Sequence, residues 1–368
     1  MKQRVKKLLA LTAAATAAMA LLAGCGSSSA DSDDAAAETE NIEDSSTAEE
    51  TADSEASEDT GSDSGSDVTV RIGTMDLVNG DLIARYEELY EQELGVDVEI
   101  VSFDSGSDVN TALAAGSIDI SELGSSPTAL GISNGLEYEV IWIGDVIGSA
   151  ETLVATEESG VTSVEELAGK TIATPFASTA HYSLLNALEL AGLSETDVTV
   201  LDMQPDDIYA AWLRGDIDAA YVWYPVLSEL QETGVNITDS AQLADQGVIT
   251  ADLVVARTAF AEQYPEIVEN YIKVQIQANE VLLDDPETAA TEIASVLEIT
   301  EEDAADQITQ YVYLRGEEQA DYLNDYIADA LKATADFLVE QQSITSAPDL
   351  ETFVNSINTS YLEAALAD

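Results

Sequence analysis

From residue 68 to residue 256 the chain alternates short apolar runs with longer runs of helical period, and this alternation restricts the fold more than any other feature. Strands are predicted over 68–73, 96–103, 118–121, 139–144, 171–174, 198–201, 219–223 and 252–256. Helices are predicted over 81–93, 110–115, 126–134, 179–191 and 206–214, and only amphipathic helices are expected after residue 256. Alternating β and α units imply an α/β fold with parallel sheets covered by helices on both faces. About 300 residues are more than one core usually holds, so two lobes are expected, each a mostly parallel sheet flanked by helices. The reading assigns 68–152 and 254–368 to one lobe and 153–253 to the other. The ligand cleft then lies between them, where strand carboxyl ends and helix N-termini converge.

The chain ahead of residue 68 has a different character. Met1-Lys-Gln-Arg-Val-Lys-Lys7 is basic and leads into a short Ala/Leu-rich run ending in Leu22-Ala-Gly-Cys25, which reads as an export signal over 1–25 and not as a membrane span. It resembles the bacterial lipobox, whose cysteine is lipidated. Cys25 is the single cysteine of the chain, so a disulfide, a CxxC redox centre and a cysteine-based metal site are excluded. Residues 26–67 are Gly, Ser, Ala, Thr, Asp and Glu almost exclusively, the composition of a disordered, self-repelling tether. Fifteen of the 72 acidic residues fall there, and the 57 that remain face eight Lys and Arg, leaving the part beyond residue 67 at about −49. Nucleic acid and anionic membrane surfaces are poor partners for such a surface. An anionic ligand would have to be held by N–H and hydroxyl groups against this field.

Hydroxyl-rich turns follow two of the predicted strands. Gly124-Ser-Ser-Pro127 places Ser125 and Ser126 at the start of one helix, and Thr174-Pro-Phe-Ala-Ser-Thr179 places Ser178 or Thr179 at the N-cap of another. The first N–H groups of a helix lack internal partners and sit at the positive end of its dipole, so a carboxylate, sulfonate or phosphate is welcome there. Either turn alone is an ordinary cap. Together, in different lobes, they suit one anion gripped from two sides.

In Ala219-Ala-Tyr-Val-Trp223, Tyr221 and Trp223 share one strand face. Trp223, nearer the strand end, offers the cleft an apolar wall or a ring face for a cation, and core packing accounts for it equally well. Asp252 starts a strand expected to connect the lobes, where an acid is costly unless it meets a cation. Glu151 precedes another such crossing. For each of these acids the plainer alternative is a solvated surface charge. His181, the single histidine, either touches a ligand or supports its turn; with no Cys beside it and no HExxH spacing, no metal site is expected. No GxSxG elbow, Walker loop or GxGxxG is present, so neither an enzyme nor a cofactor is expected.

Phe103-Asp-Ser-Gly106, Leu123-Gly-Ser-Ser-Pro127, Pro175-Phe-Ala-Ser-Thr-Ala-His-Tyr-Ser-Leu-Leu185 and Ala211-Trp-Leu-Arg-Gly-Asp-Ile-Asp-Ala-Ala-Tyr-Val-Trp223 resemble the taurine-binding members of the bacterial sulfonate solute-binding proteins. The resemblance extends over most of 68–345. It implies a type II periplasmic-binding-protein-like fold and a monomeric lipoprotein on the outer face of the cell membrane or in the periplasm, feeding an ABC permease. It also implies that Ser125, Ser126, Ser178 and Thr179 line the sulfonate end, that Trp223 flanks the carbon pair, and that Asp252, with Glu151, meets the ammonium. Where related proteins tend to place polar residues including Gln, this chain has Gly73-Thr-Met-Asp76, and Asp76 either adds a second acid near the amine or faces solvent. Receptors for alkanesulfonates, nitrate or thiamin precursors share these motifs in part. A thiamin-pyrimidine synthase, the enzymatic alternative, would need a cysteine-rich site that has no counterpart here.

Overall fold

The computed structural model describes residues 68–367; the export signal, Cys25 and the tether lie outside the described residues. Eleven strands are described: β1 (Thr69–Thr74), β2 (Asp97–Ser102), β3 (Ile120–Gly124), β4 (Tyr138–Ile147), β5 (Glu151–Thr156), β6 (Thr171–Thr174), β7 (Thr199–Asp202), β8 (Ala219–Trp223), β9 (Gly234–Asp239), β10 (Ala251–Arg257) and β11 (Tyr311–Val312). They form a six-stranded sheet ordered β11-β4-β10-β3-β1-β2 and a five-stranded sheet ordered β7-β6-β8-β5-β9. Fully buried runs such as Val140-Ile-Trp-Ile143 in β4 have no polar alternation because the sheet is covered on both faces.

Both sheets are mixed where mostly parallel sheets were expected. Three strands in each run parallel, β2-β1-β3 and β7-β6-β8. The strands next to the crossings run antiparallel: β10 between β3 and β4, and β5 between β8 and β9. The chain passes from β4 to β5 through residues 148–150 and returns to β10 after the helix Ser240–Asp245. The two crossings are neighbours, since Ile147 N–H donates to the Thr250 carbonyl at 3.0 Å.

These crossings move the expected lobe borders by a few residues. Glu151 and Thr152 already belong to the five-stranded sheet, and Ala251 to Leu253 already belong to the six-stranded one. The two-residue β11 was missed because its flanks read as helical and its pairing partner, β4, is far away in sequence. The helix expected over 81–93 is two helices, Gly80–Tyr86 and Leu89–Glu93, broken where Glu88 adopts a left-handed φ of 57°. Among the described residues no helix is long and apolar enough to cross a membrane.

Candidate functional site: a carboxylate-lined cavity between the sheets

The sequence places a turn and a helix start after β3 and another after β6, and the structure brings the two together. Gly124 is the N-cap of the helix Ser125–Ser133, and Ser178 is the N-cap of the helix Thr179–Leu190. A Cβ added to Gly124 would stand 2.9 Å from Thr179 Cγ2, so only a glycine lets the two turns approach this closely. Beside this contact lies a narrow cavity lined from the first sheet by Met75, Leu77, Gly124, Pro127, Ile147, Asp252 and Tyr311, and from the second by Glu151, Ser178, Thr179 and Trp223. Met75 and Trp223 also border a wider outer cleft of about 450 Å³.

Asp252 and Glu151 are both buried and face this cavity from different sheets. Burial pushes Asp252 up to about 7. It pushes Glu151 up to about 8, opposed by the Thr179 hydroxyl that donates to Oε1 and by Ser240 Oγ, 3.4 Å from Oε2. Among the described residues no cation balances either acid. Each of the eight Lys and Arg among the described residues pairs with another carboxylate. A cation entering the cavity would meet two carboxyl groups without a protein competitor, whereas an anion would find only neutral donors.

Ser178 Oγ accepts from His181 N–H at 3.1 Å and donates to the Pro175 carbonyl at 2.6 Å. The Thr179 hydroxyl is committed to Glu151. The donors left at this helix start are the N–H groups of Thr179 and Ala180, which take no partner among the described residues. Trp223 closes β8 opposite Glu151 and borders the cavity, while Tyr221 on the same face is core, its hydroxyl 3.1 Å from Ser240 Oγ.

Four of the candidate site residues lie outside this lining. Ser125 accepts from Ala251 N–H at 3.4 Å and borders a separate small apolar space with Tyr326 and Leu331, because the helix turns its hydroxyl toward the C-terminal helices; Ser126 Oγ is buried without a partner, outside the cavity lining. Gly124 and Pro127 present this turn to the cavity instead. Asp76 lines only the outer cleft, its side chain 39% exposed and paired with Arg85 at 2.5 Å. His181 supports its turn: Nδ1 accepts from Ala177 N–H at 3.3 Å, holding Ala177 at a φ of 60°, and its ring stacks on Phe176 with centroids 4.4 Å apart. Burial lowers its pKa to about 4, so the ring is neutral.

Sequence reasoning missed two acids behind Asp252. Glu122 on β3 and Asp145 on β4 are buried on the same sheet face, with Asn79 Nδ2 donating 2.6 Å to Glu122 and 3.5 Å to Asp145. Burial first, and the neighbouring Asp252 second, hold both well above the usual carboxylate range. The available signal was an acid inside an otherwise apolar strand, as in Ile141-Trp-Ile-Gly-Asp-Val-Ile147.

Comparison with known proteins agrees with this architecture. The taurine-binding periplasmic protein of Escherichia coli (strain K12) is 40% identical over 205 residues, 56% of this chain; the match spans 63% of that relative, less than two thirds of its length. The alkanesulfonate-binding protein of Xanthomonas axonopodis pv. citri bound to MOPS has a similar fold, with a TM-score of 0.67 at 23% identity over 79% of this chain and 98% of that one. The periplasmic nitrate-binding protein of Synechocystis PCC 6803 superposes with a TM-score of 0.68 at 15% identity over 81% of this chain and 88% of that one. The family model described as NMT1/THI5 like matches residues 78–289, more than half of the sequence. The chain belongs to the NMT1/THI5-like family.

Proposed function

We propose that this protein is the solute-binding receptor of an ABC importer, that it captures taurine or a similar small aminosulfonate between its two sheets, and that a lipid on Cys25 holds it to the outer face of the cell membrane. One observation carries the reading of the ligand: Asp252 and Glu151 face a single cavity to which the described residues supply no cation. A zwitterion two carbons long has a cationic end for these acids and an anionic end for the N–H groups that open the helix Thr179–Leu190. Trp223 forms the wall along the carbon pair. A charge-assisted contact contributes about 1.5–3 kcal/mol, so Asp252 matters more than any one neutral donor. The 40% identity to a taurine-binding protein supports the same ligand class.

Calorimetry on the domain without its tether tests this reading with taurine, isethionate, alkanesulfonates and glycine betaine. Taurine binding that is lost in Asp252→Ala, while ethanesulfonate binding is retained, is the expected result. Heat from amine-free ligands alone would assign the site to alkanesulfonates or nitrate, and turnover of any ligand would assign it to an enzyme.

A further inference from the structure

Asp252, Asp145 and Glu122 occupy one patch on the same face of three adjacent strands. Asp145 is the register partner of Asp252 across β4 and β10, and Glu122 lies diagonal to Asp252 across β3 and β10. Asp145 has no exposed surface, its Oδ1 receives no bond from any described N–H or hydroxyl, and it stands directly opposite the buried Asp252 on the same sheet face. Two ionised carboxylates cannot hydrogen-bond, because an ionised carboxylate only accepts. Buried side by side with no described cation between them, the two carboxyls are held together only if one of them carries a proton. Asp252 borders the cavity and Asp145 does not.

We infer that Asp145 is a positioning residue acting as a neutral acid: it keeps its proton, donates it to the Asp252 carboxylate, and so aims that carboxylate into the cavity. The surroundings favour this division. The other ionisable groups packed against the pair are Glu122 beside it, Asp81 behind Glu122, Glu151 across the cavity, and Tyr311 and Tyr313; none is a cation. Burial, and next the neighbouring Asp252, holds Asp145 well above the usual carboxylate range, whereas Asp252, which borders the cavity, is pushed up by burial only to about 7. Asn79 Nδ2 faces Asp145 Oδ2, leaving Oδ1 as the oxygen without an N–H or hydroxyl donor.

The inference rests on the reading of Asp252 as the acid that meets the ligand's ammonium, and it is tested separately from that reading. Asp145→Asn keeps a donor toward Asp252 and a carbonyl toward Asn79 but cannot ionise; Asp145→Ala keeps neither. By calorimetry at pH 8, Asp145→Asn is expected to bind taurine within about threefold of the parent, and Asp145→Ala at least tenfold more weakly. Equal loss in both variants would show that Asp145 works as a charge, and no loss in either that it positions nothing; both results overturn the inference. An infrared difference spectrum of the ligand-free parent against Asp145→Asn is expected to contain the C=O stretch of a protonated carboxyl at pH 7 to 8. Its absence overturns the inference even if Asp145→Ala does not fold. If the parent binds no taurine, the proposed ligand fails while the infrared result still decides the state of Asp145.

Discussion

Gly124 at the end of β3 and Thr179 at the start of the helix that follows β6 meet so closely that a methyl group at the Gly124 Cα would stand 2.9 Å from Thr179 Cγ2. The φ of Gly124, −61°, is one that alanine adopts freely, so the substitution tests contact and not backbone strain. Gly124→Ala is expected to hold the turns apart at a cost of about 1–3 kcal/mol, weakening ligand binding about tenfold. Titration calorimetry measures the loss, and an unchanged melting temperature of the ligand-free protein would place the effect in the contact between sheets.

Thr179 is also the nearest neutral donor to Glu151. Valine has nearly the same shape without the hydroxyl, so Thr179→Val leaves Glu151 with Ser240 alone. A hydrogen bond to a charged group contributes about 1.5–3 kcal/mol, and a pKa unit corresponds to about 1.4 kcal/mol. The Glu151 carboxyl is therefore expected to titrate one to two units above its value of about 8. Carboxyl-carbon NMR measures it directly, and an unmoved titration would remove Thr179 from the site's electrostatics.

Stability of the ligand-free protein should fall as the solution becomes alkaline. Asp252 rises from an ordinary 3.8 to about 7 and Glu151 from 4.5 to about 8, so between these values the folded chain binds more protons than the unfolded one. Such groups stabilise the fold fully below their unfolded pKa and lose that contribution as pH rises through the folded pKa. His181 acts oppositely, but only between its folded value of about 4 and its ordinary 6.5. From pH 6.5 to 8.5 the midpoint of urea unfolding is expected to decline, and Glu151→Gln should flatten the decline. A parallel slope in the variant would contradict the assignment.

His181→Ala should cost stability and leave binding by the folded protein nearly unchanged. The variant strands the Ala177 N–H and removes the stack on Phe176, a loss of about 1–3 kcal/mol. Chemical unfolding gives the loss, and a much weaker affinity in folded protein would return the ring to the ligand site.

Asp76→Asn offers the opposite contrast to Asp252→Ala. Asp76 is already neutralised by Arg85 in the outer cleft, so its removal is expected to change taurine affinity less than threefold. A tenfold loss would show that this acid reaches the amine.

The alternation of strands and helices was legible because each buried strand is a local apolar run and each helix repeats its own period. Thr171–Thr174 and Ala219–Trp223 coincide with their predicted bounds. β11 was not legible, since two residues carry no period and their partner lies more than 150 residues away. At the site, Asp252, Glu151, Trp223, Ser178 and Thr179 share one cavity. Ser125 lies outside this lining and His181 takes the supporting one of its two expected roles, because a helix start specifies where N–H groups point but not how each hydroxyl or ring rotates. Glu122 and Asp145 escaped notice because their grouping depends on cross-strand register, which a single strand does not encode.

The adjacent crossings at Ile147 and Thr250 make the second sheet an inserted unit whose ends leave and re-enter the first at almost the same place. The first sheet gains its central antiparallel strand, β10, only after that excursion is complete. During synthesis the inserted lobe is therefore finished before the lobe that hosts it, so an arrest in making residues beyond β10 would leave a finished guest on an unfinished host. A short turn joining Ile147 to Thr250 would shorten the chain by about a hundred residues and preserve every strand pairing of the six-stranded sheet.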